Sequence, residues 1–165
     1  MATIPSSTNT VQGFKPAFNR VQQSNDFDCA FACIAIITGK TLDEVRQTAI
    51  DKFKHPKHGP FWITEDLIAK LLAHYGWVAT VYKESTGIDS LPDLCLGMVE
   101  YDPETEIGRH VLFHRHTQPG SKQPVEYIID PAYWVDSSKQ VRTDIKGFPI
   151  SYFIGVHQMT KTATK

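Results

Sequence analysis

Gln23-Ser24-Asn25-Asp26-Phe27-Asp28-Cys29 runs directly into Ala30-Phe31-Ala32-Cys33-Ile34-Ala35-Ile36-Ile37. The first part is polar and turn-forming; the second is apolar on almost every side. A helix that is apolar all round belongs inside a protein, so this pattern predicts a buried helix starting near Asp28. Gly39 is its natural terminator. Cys29 then sits in the first helical turn. Unpaired N–H groups and the positive end of the helix dipole there favour a thiolate. Cys33, one turn further in among Ala and Ile, is expected to be buried and inert.

The pattern outward from this stretch is helical, then extended. Thr41-Leu42-Asp43-Glu44 reads as a capping box, with Thr41 as N-cap and Glu44 three residues on. Leu42, Val45, Ala49 and Phe53 follow at helical spacing. Pro56, Gly59 and Pro60 break the chain between His55 and Pro60. Thr64 caps a third helix with the stripe Leu67, Ile68, Leu71 and Leu72, stopped at Gly76. Beyond Gly76 the period changes to that of strands. Strands are expected over 77–83, 96–101, 110–114, 125–129 and 151–156, with a turn over 118–123 containing Pro119 and Gly120. Helices first and an antiparallel meander second indicate an α+β domain. Residues 1–17 read as a flexible arm, 18–158 as a single domain and 159–165 as a tail.

Composition narrows the function classes. The chain has 165 residues, 41% hydrophobic and 21% charged, enough for one globular core. A formal net charge of -1 offers no electrostatic reason to bind nucleic acid. The longest apolar run, Cys29 to Ile37, is half of what a membrane span needs. Three cysteines, Cys29, Cys33 and Cys95, do not form a secreted disulfide pattern. The N-terminus lacks a basic start and an apolar segment, so no signal peptide is expected. The expected address is the cytoplasm where the chain is made, with export by a route needing no cleaved signal left open.

Two motifs do not carry chemistry. Thr38-Gly39-Lys40-Thr41 resembles the end of a phosphate loop, but the required earlier glycine is Ile34. His110, His114 and His116 could share one strand face. No second cluster supplies further ligands at zinc spacing, so His114 and His116 are read as packed or solvated. No metal or cofactor is expected.

Acyl transfer by a thiolate needs a base and a site for the anion. Gln23, six residues before Cys29, is a candidate oxyanion donor beside the Cys29 backbone N–H. His110 opens one expected strand, and Asp130 ends the next, before Pro131. A symmetric hairpin centred on Gly120 pairs Leu112 with Ile128 and His110 with Asp130. Opposed residues share a face, which would set an imidazole beside a carboxylate.

The order Gln23, Asp28-Cys29, His110 and Asp130-Pro131 resembles the papain-like cysteine peptidases of the bacteriocin-processing, C39-like group. The resemblance spans Gln23 to Pro131. It implies a papain-like fold with a helical half meeting an antiparallel sheet at a cleft. It also implies a nucleophile at Cys29, a base at His110, an orienting carboxylate at Asp130 and an oxyanion donor at Gln23. The best-known members cut leader peptides after a double glycine, so the implied partner is a peptide or protein, including one with a Gly-Gly leader. Ala30 stands where the family usually has glycine, and a Cβ there is expected to narrow the cleft or alter the helix start. The chain carries neither a membrane span nor a nucleotide-binding motif, unlike the exporters that contain such domains. The leading reading is a stand-alone cysteine peptidase. The alternatives are a deamidase or transglutaminase acting on a glutamine side chain, or a catalytically silent binding module.

Overall fold

The computed structural model describes residues 14–57, 63–117 and 119–159. Parts of the expected arm and tail, the Gly59-Pro60 break, and Phe61 and Trp62 lie outside them. Helices α1 (Cys29–Thr38), α2 (Leu42–Phe53) and α3 (Glu65–His74) come first. Strands β1 (Trp77–Ala79), β2 (Lys83–Glu84), β3 (Leu94–Asp102), β4 (Ile107–Thr117) and β5 (Pro124–Ile129) follow, then the short α4 (Ser137–Gln140), β6 (Val141–Arg142) and β7 (Tyr152–Gln158). The mixed architecture agrees with the order of apolar periods.

Local chemistry accounts for the helix ends. Gly39 closes α1 with φ 72°, a left-handed conformation that glycine adopts without steric penalty. The Thr41 and Thr64 hydroxyls accept the N–H groups of Glu44 and Leu67, capping α2 and α3.

The strands form one antiparallel sheet in the order β1-β7-β3-β4-β5-β6, with β2 also on β7. The three helices cover one face. There α1, buried from Cys29 to Ile37, packs with Ile68, Leu72, Leu96, Leu112, Ile129 and Ile154. Val111, Phe113, Ile128 and Phe153 point the other way and make a second core with Leu91, Ile145 and Ile150. Phe14 and Ala17 also reach the body of the fold. Phe14 packs edge-on against Tyr127, and the Ala17 N–H donates to the Tyr127 hydroxyl.

The strand expected over 77–83 is divided. Ala79 pairs with Val156, whereas Lys83 pairs with Phe153. Residues 80–82 therefore oppose only residues 154 and 155, a bulge in the edge strand. Thr80 anchors it: its N–H donates to the Gly155 carbonyl, and its hydroxyl accepts the Gly155 N–H. The bulge lies next to the candidate site and decides which side chain reaches it.

Candidate active site

The site joins the start of α1 to the middle of the sheet. Asp28 precedes α1, and its buried carboxylate turns back instead of capping the helix. It accepts the Ser24 N–H, the Ser24 hydroxyl at 2.6 Å and the Asn25 N–H. These bonds close the loop before Cys29. The Asp28 carbonyl meanwhile accepts the Ala32 N–H, the first helical bond. Cys29 follows with only 1% of its surface exposed. Ala30 is fully buried in the core cluster, so its methyl is absorbed by helix packing.

Gln23 is buried, while Gln22 is exposed and accepts from Arg20. The Gln23 N–H donates to the Pro131 carbonyl, which ties the Gln23 loop to the end of β5. Its side-chain nitrogen donates one hydrogen to the Asn25 carbonyl at 2.8 Å. A primary amide carries a second N–H. The buried Gln23 Oε1 has no hydrogen-bond partner.

His110 lies on β4, on the face covered by α1. Its Nδ1 is 3.5 Å from Cys29 Sγ, and its backbone N–H donates to the same sulfur at 3.3 Å. Its other ring nitrogen, Nε2, is 2.6 Å from the Tyr82 hydroxyl. The two rings are near-parallel, 30° apart. Tyr82 is the last residue of the bulge. Continuing the Lys83–Phe153 register sets Tyr82 opposite Ile154, on the helix-facing side of the sheet. Without the extra residue it would oppose Phe153 and face away. The Tyr82 N–H donates to Glu65 Oε2, at the start of α3, which fixes the loop.

The structure does not bring Asp130 to the His110 ring. The β4–β5 ladder pairs Leu112 with Ile129, not with Ile128 as a turn centred on Gly120 predicts. The connection from Thr117 to Pro124 holds an even number of residues, so its centre falls after Gly120. This one-residue slip sends Asp130 to the opposite face. There its carboxylate accepts Arg109 Nη1 at 2.6 Å and the Ala132 N–H at 3.0 Å. Its backbone carbonyl accepts Arg20 Nε. Asp130 thus braces the segment that holds Gln23, and Tyr82 is the neighbour of His110 Nε2. Sequence reasoning passed over Tyr82, because a tyrosine in a β-rich run carries no motif.

Burial dominates the electrostatics. It pushes the Cys29 thiol up, against the hydrogen bonds from the His110 and Ala30 backbone and the Arg109 charge, while Asp28 pushes it further up. Burial also lowers His110 to about 4. Both shifts run toward a neutral thiol and a neutral imidazole, against the thiolate that the helix start favours. Cys33 and Cys95 are also pushed up by burial. His114 is packed: its Nδ1 meets the Tyr127 hydroxyl at 2.8 Å, and burial with His116 lowers it to about 4.

A cavity of about 160 Å³ opens beside His110 between Tyr82, Met98 and Ile107, with Glu65 and Glu106 also on its wall. A neighbouring cavity of about 260 Å³ shares Tyr82 and Met98 and adds Tyr101 and Tyr152. Larger cavities, lined around Phe53 and around Phe18, involve neither Cys29 nor His110. Tyr133 and Trp134 are exposed; Arg109 lies over Trp134, and the Tyr133 hydroxyl donates to Asp26 in the loop before Cys29.

No protein-family model matches the chain, and no curated protein does. A solved structure does: a double glycine motif protease from an AMS/PCAT transporter, in complex with the leader peptide. The match covers 92% of this chain and 99% of that one, with TM-score 0.52 and 13% identity. The two chains share a fold. This likeness supports the C39-like architecture that the order of Gln23, Cys29 and His110 implies.

Proposed function

We propose that this protein is a papain-like cysteine peptidase, with Cys29 as nucleophile and His110 as base. The observation that carries the reading is the 3.5 Å approach of Cys29 Sγ to His110 Nδ1, from elements 81 residues apart. The thiol proton passes to His110 Nδ1 as sulfur attacks the carbonyl carbon of a peptide bond. The resulting oxyanion takes hydrogen bonds from the Cys29 backbone N–H and the second Gln23 amide N–H. The imidazolium then gives the proton to the leaving amine, and the C–N bond breaks. Water, activated by His110, releases the acyl group and restores the thiol.

The solved neighbour holds a leader peptide. That supports a peptide substrate here, with the Tyr82–Met98 cavity as a place for one of its side chains. Asp130 enters this scheme through the scaffold, by holding Arg109 and, with Pro131, the Gln23 segment. Mass spectrometry of peptide mixtures that include Gly-Gly and glutamine-containing sequences tests the proposal. Cleavage by the wild type, lost in Cys29→Ala, is the expected result. Conversion of glutamine to glutamate without cleavage would replace the reading with a deamidase. Peptide binding without any chemistry would make the chain a binding module.

A further inference from the structure

We propose that Tyr82 is the positioning residue of this site: its hydroxyl accepts the Nε2–H of His110 and so keeps Nδ1 bare toward the Cys29 thiol. The inference rests on the Cys29–His110 reading and deepens it. Several observations meet at this contact. The Tyr82 Oη to His110 Nε2 distance is 2.6 Å. His110 is buried, and both its ring nitrogens are engaged, Nδ1 by Cys29 and Nε2 by Tyr82. The carboxylate expected for this role, Asp130, is committed to Arg109 on the other face. The edge bulge at 80–82 turns Tyr82 onto the His110 face, and Glu65 fixes its backbone.

The choice of a phenol has chemical consequences. An imidazole whose Nε2 holds the hydrogen presents a lone pair at Nδ1, which is the tautomer a base at Cys29 requires. When the thiol proton moves to Nδ1, the ring becomes cationic and the Nε2–H bond to Tyr82 strengthens. No proton leaves His110 toward the tyrosine, whose own O–H is retained. Burial, with Cys29 and Glu65 nearby, pushes the Tyr82 hydroxyl up, so it remains neutral across the working range. A neutral acceptor stabilises imidazolium less than a carboxylate would. That runs in the same direction as the burial-driven shifts of Cys29 and His110. The other charged groups near the pair act less directly. Arg109 favours and Asp28 opposes a Cys29 thiolate, and Glu106 lines the cavity beside His110.

The test is the pH profile of Cys29 alkylation by iodoacetamide in the full chain, read by peptide mapping. Tyr82→Phe retains the ring and removes the acceptor. The expected loss is roughly 10- to 100-fold near neutral pH, the effect of one hydrogen bond to a charged group. The loss should shrink toward high pH, where the thiol ionises without help from imidazolium. A defect of packing alone would lower the rate equally at all pH values and would overturn the proposal, as would a profile equal to wild type. A neutral-pH loss confined to Asp130→Asn would return the role to Asp130. His110→Ala separates the two levels: if it leaves alkylation unchanged throughout, the Cys29–His110 reading itself fails. Independently of any variant, the nitrogen-15 shifts of His110 should report a protonated Nε2 and a bare Nδ1; the opposite tautomer would overturn the assignment.

Discussion

The two sides of the site are assembled over different distances along the chain. On the helical side the bonds within the turn are short in sequence, Asp28 to Ser24 and Asn25 and Gln23 to Asn25, all within four residues. The Gln23–Pro131 and Asp26–Tyr133 bonds then tie that turn to the end of the sheet. On the sheet side they are long: Arg109 to Asp130 across 21 residues, and His110 to Tyr82 across 28. Local bonds survive most changes elsewhere in the fold. Long-range ones depend on strand register, where one residue more or less exchanges the two faces. The proposed nucleophile is thus aimed by a loop, and the proposed base by a pair of register decisions made at a turn and at a bulge.

Changes on either side sharpen this contrast. His110→Ala should abolish measurable peptide turnover, a loss of about 10²–10⁴ in kcat on a cleavage assay, while the helical side stays folded. A folded variant with wild-type turnover would separate the two sides functionally. Gln23→Ala should lower kcat by about 10²–10³ with little change in KM, since an oxyanion donor acts on the transition state. Gln22→Ala, at an exposed neighbour, should stay near wild type; a larger loss there would mean that the loop register is misread. Asp130→Ala removes one of the two carboxylates paired with Arg109, leaving Glu100 at 2.7 Å, and should reduce stability by about 1.5–3 kcal/mol in chemical denaturation. Loss of turnover without loss of stability would instead point to a direct role for the carboxylate. Thr64→Ala removes a cap next to Glu65 and should reduce stability by about 1 kcal/mol. A drop in Cys29 reactivity larger than this small destabilisation explains would tie the start of α3 to the Tyr82 loop.

Legibility follows the same divide. The apolar run from Ala30 to Ile37, the caps Thr41 and Thr64 and the stop at Gly39 are local signals, and each element formed where they predict. Cys29 and His110 come together as their residue types and order suggest. The partner of His110 could not be read. The Thr117–Pro124 connection admits an odd or an even centre, and composition does not distinguish them. The bulge at 80–82 depends on Thr80 docking on Gly155, 75 residues away. Nothing in the run from Trp77 to Lys83 announces that Tyr82 leaves the ladder. At the Cys29 thiol two influences oppose each other: the helix start, a local signal, favours a thiolate, and burial by distant strands pushes the thiol up.

The closed loop around Asp28 has a consequence for chemical durability. Burial and the adjacent Asp28 carboxylate push the Cys29 thiol up, against the His110 and Ala30 backbone N–H groups and the Arg109 charge. Peroxide attacks thiolates far faster than thiols, and the first product, a sulfenic acid, leads on to irreversible sulfinic and sulfonic acids. A site kept as a permanent thiolate–imidazolium pair would be exposed to this ladder at all times. The direction in which burial and the Asp28 turn push the Cys29 thiol is the one that lessens its exposure to that ladder.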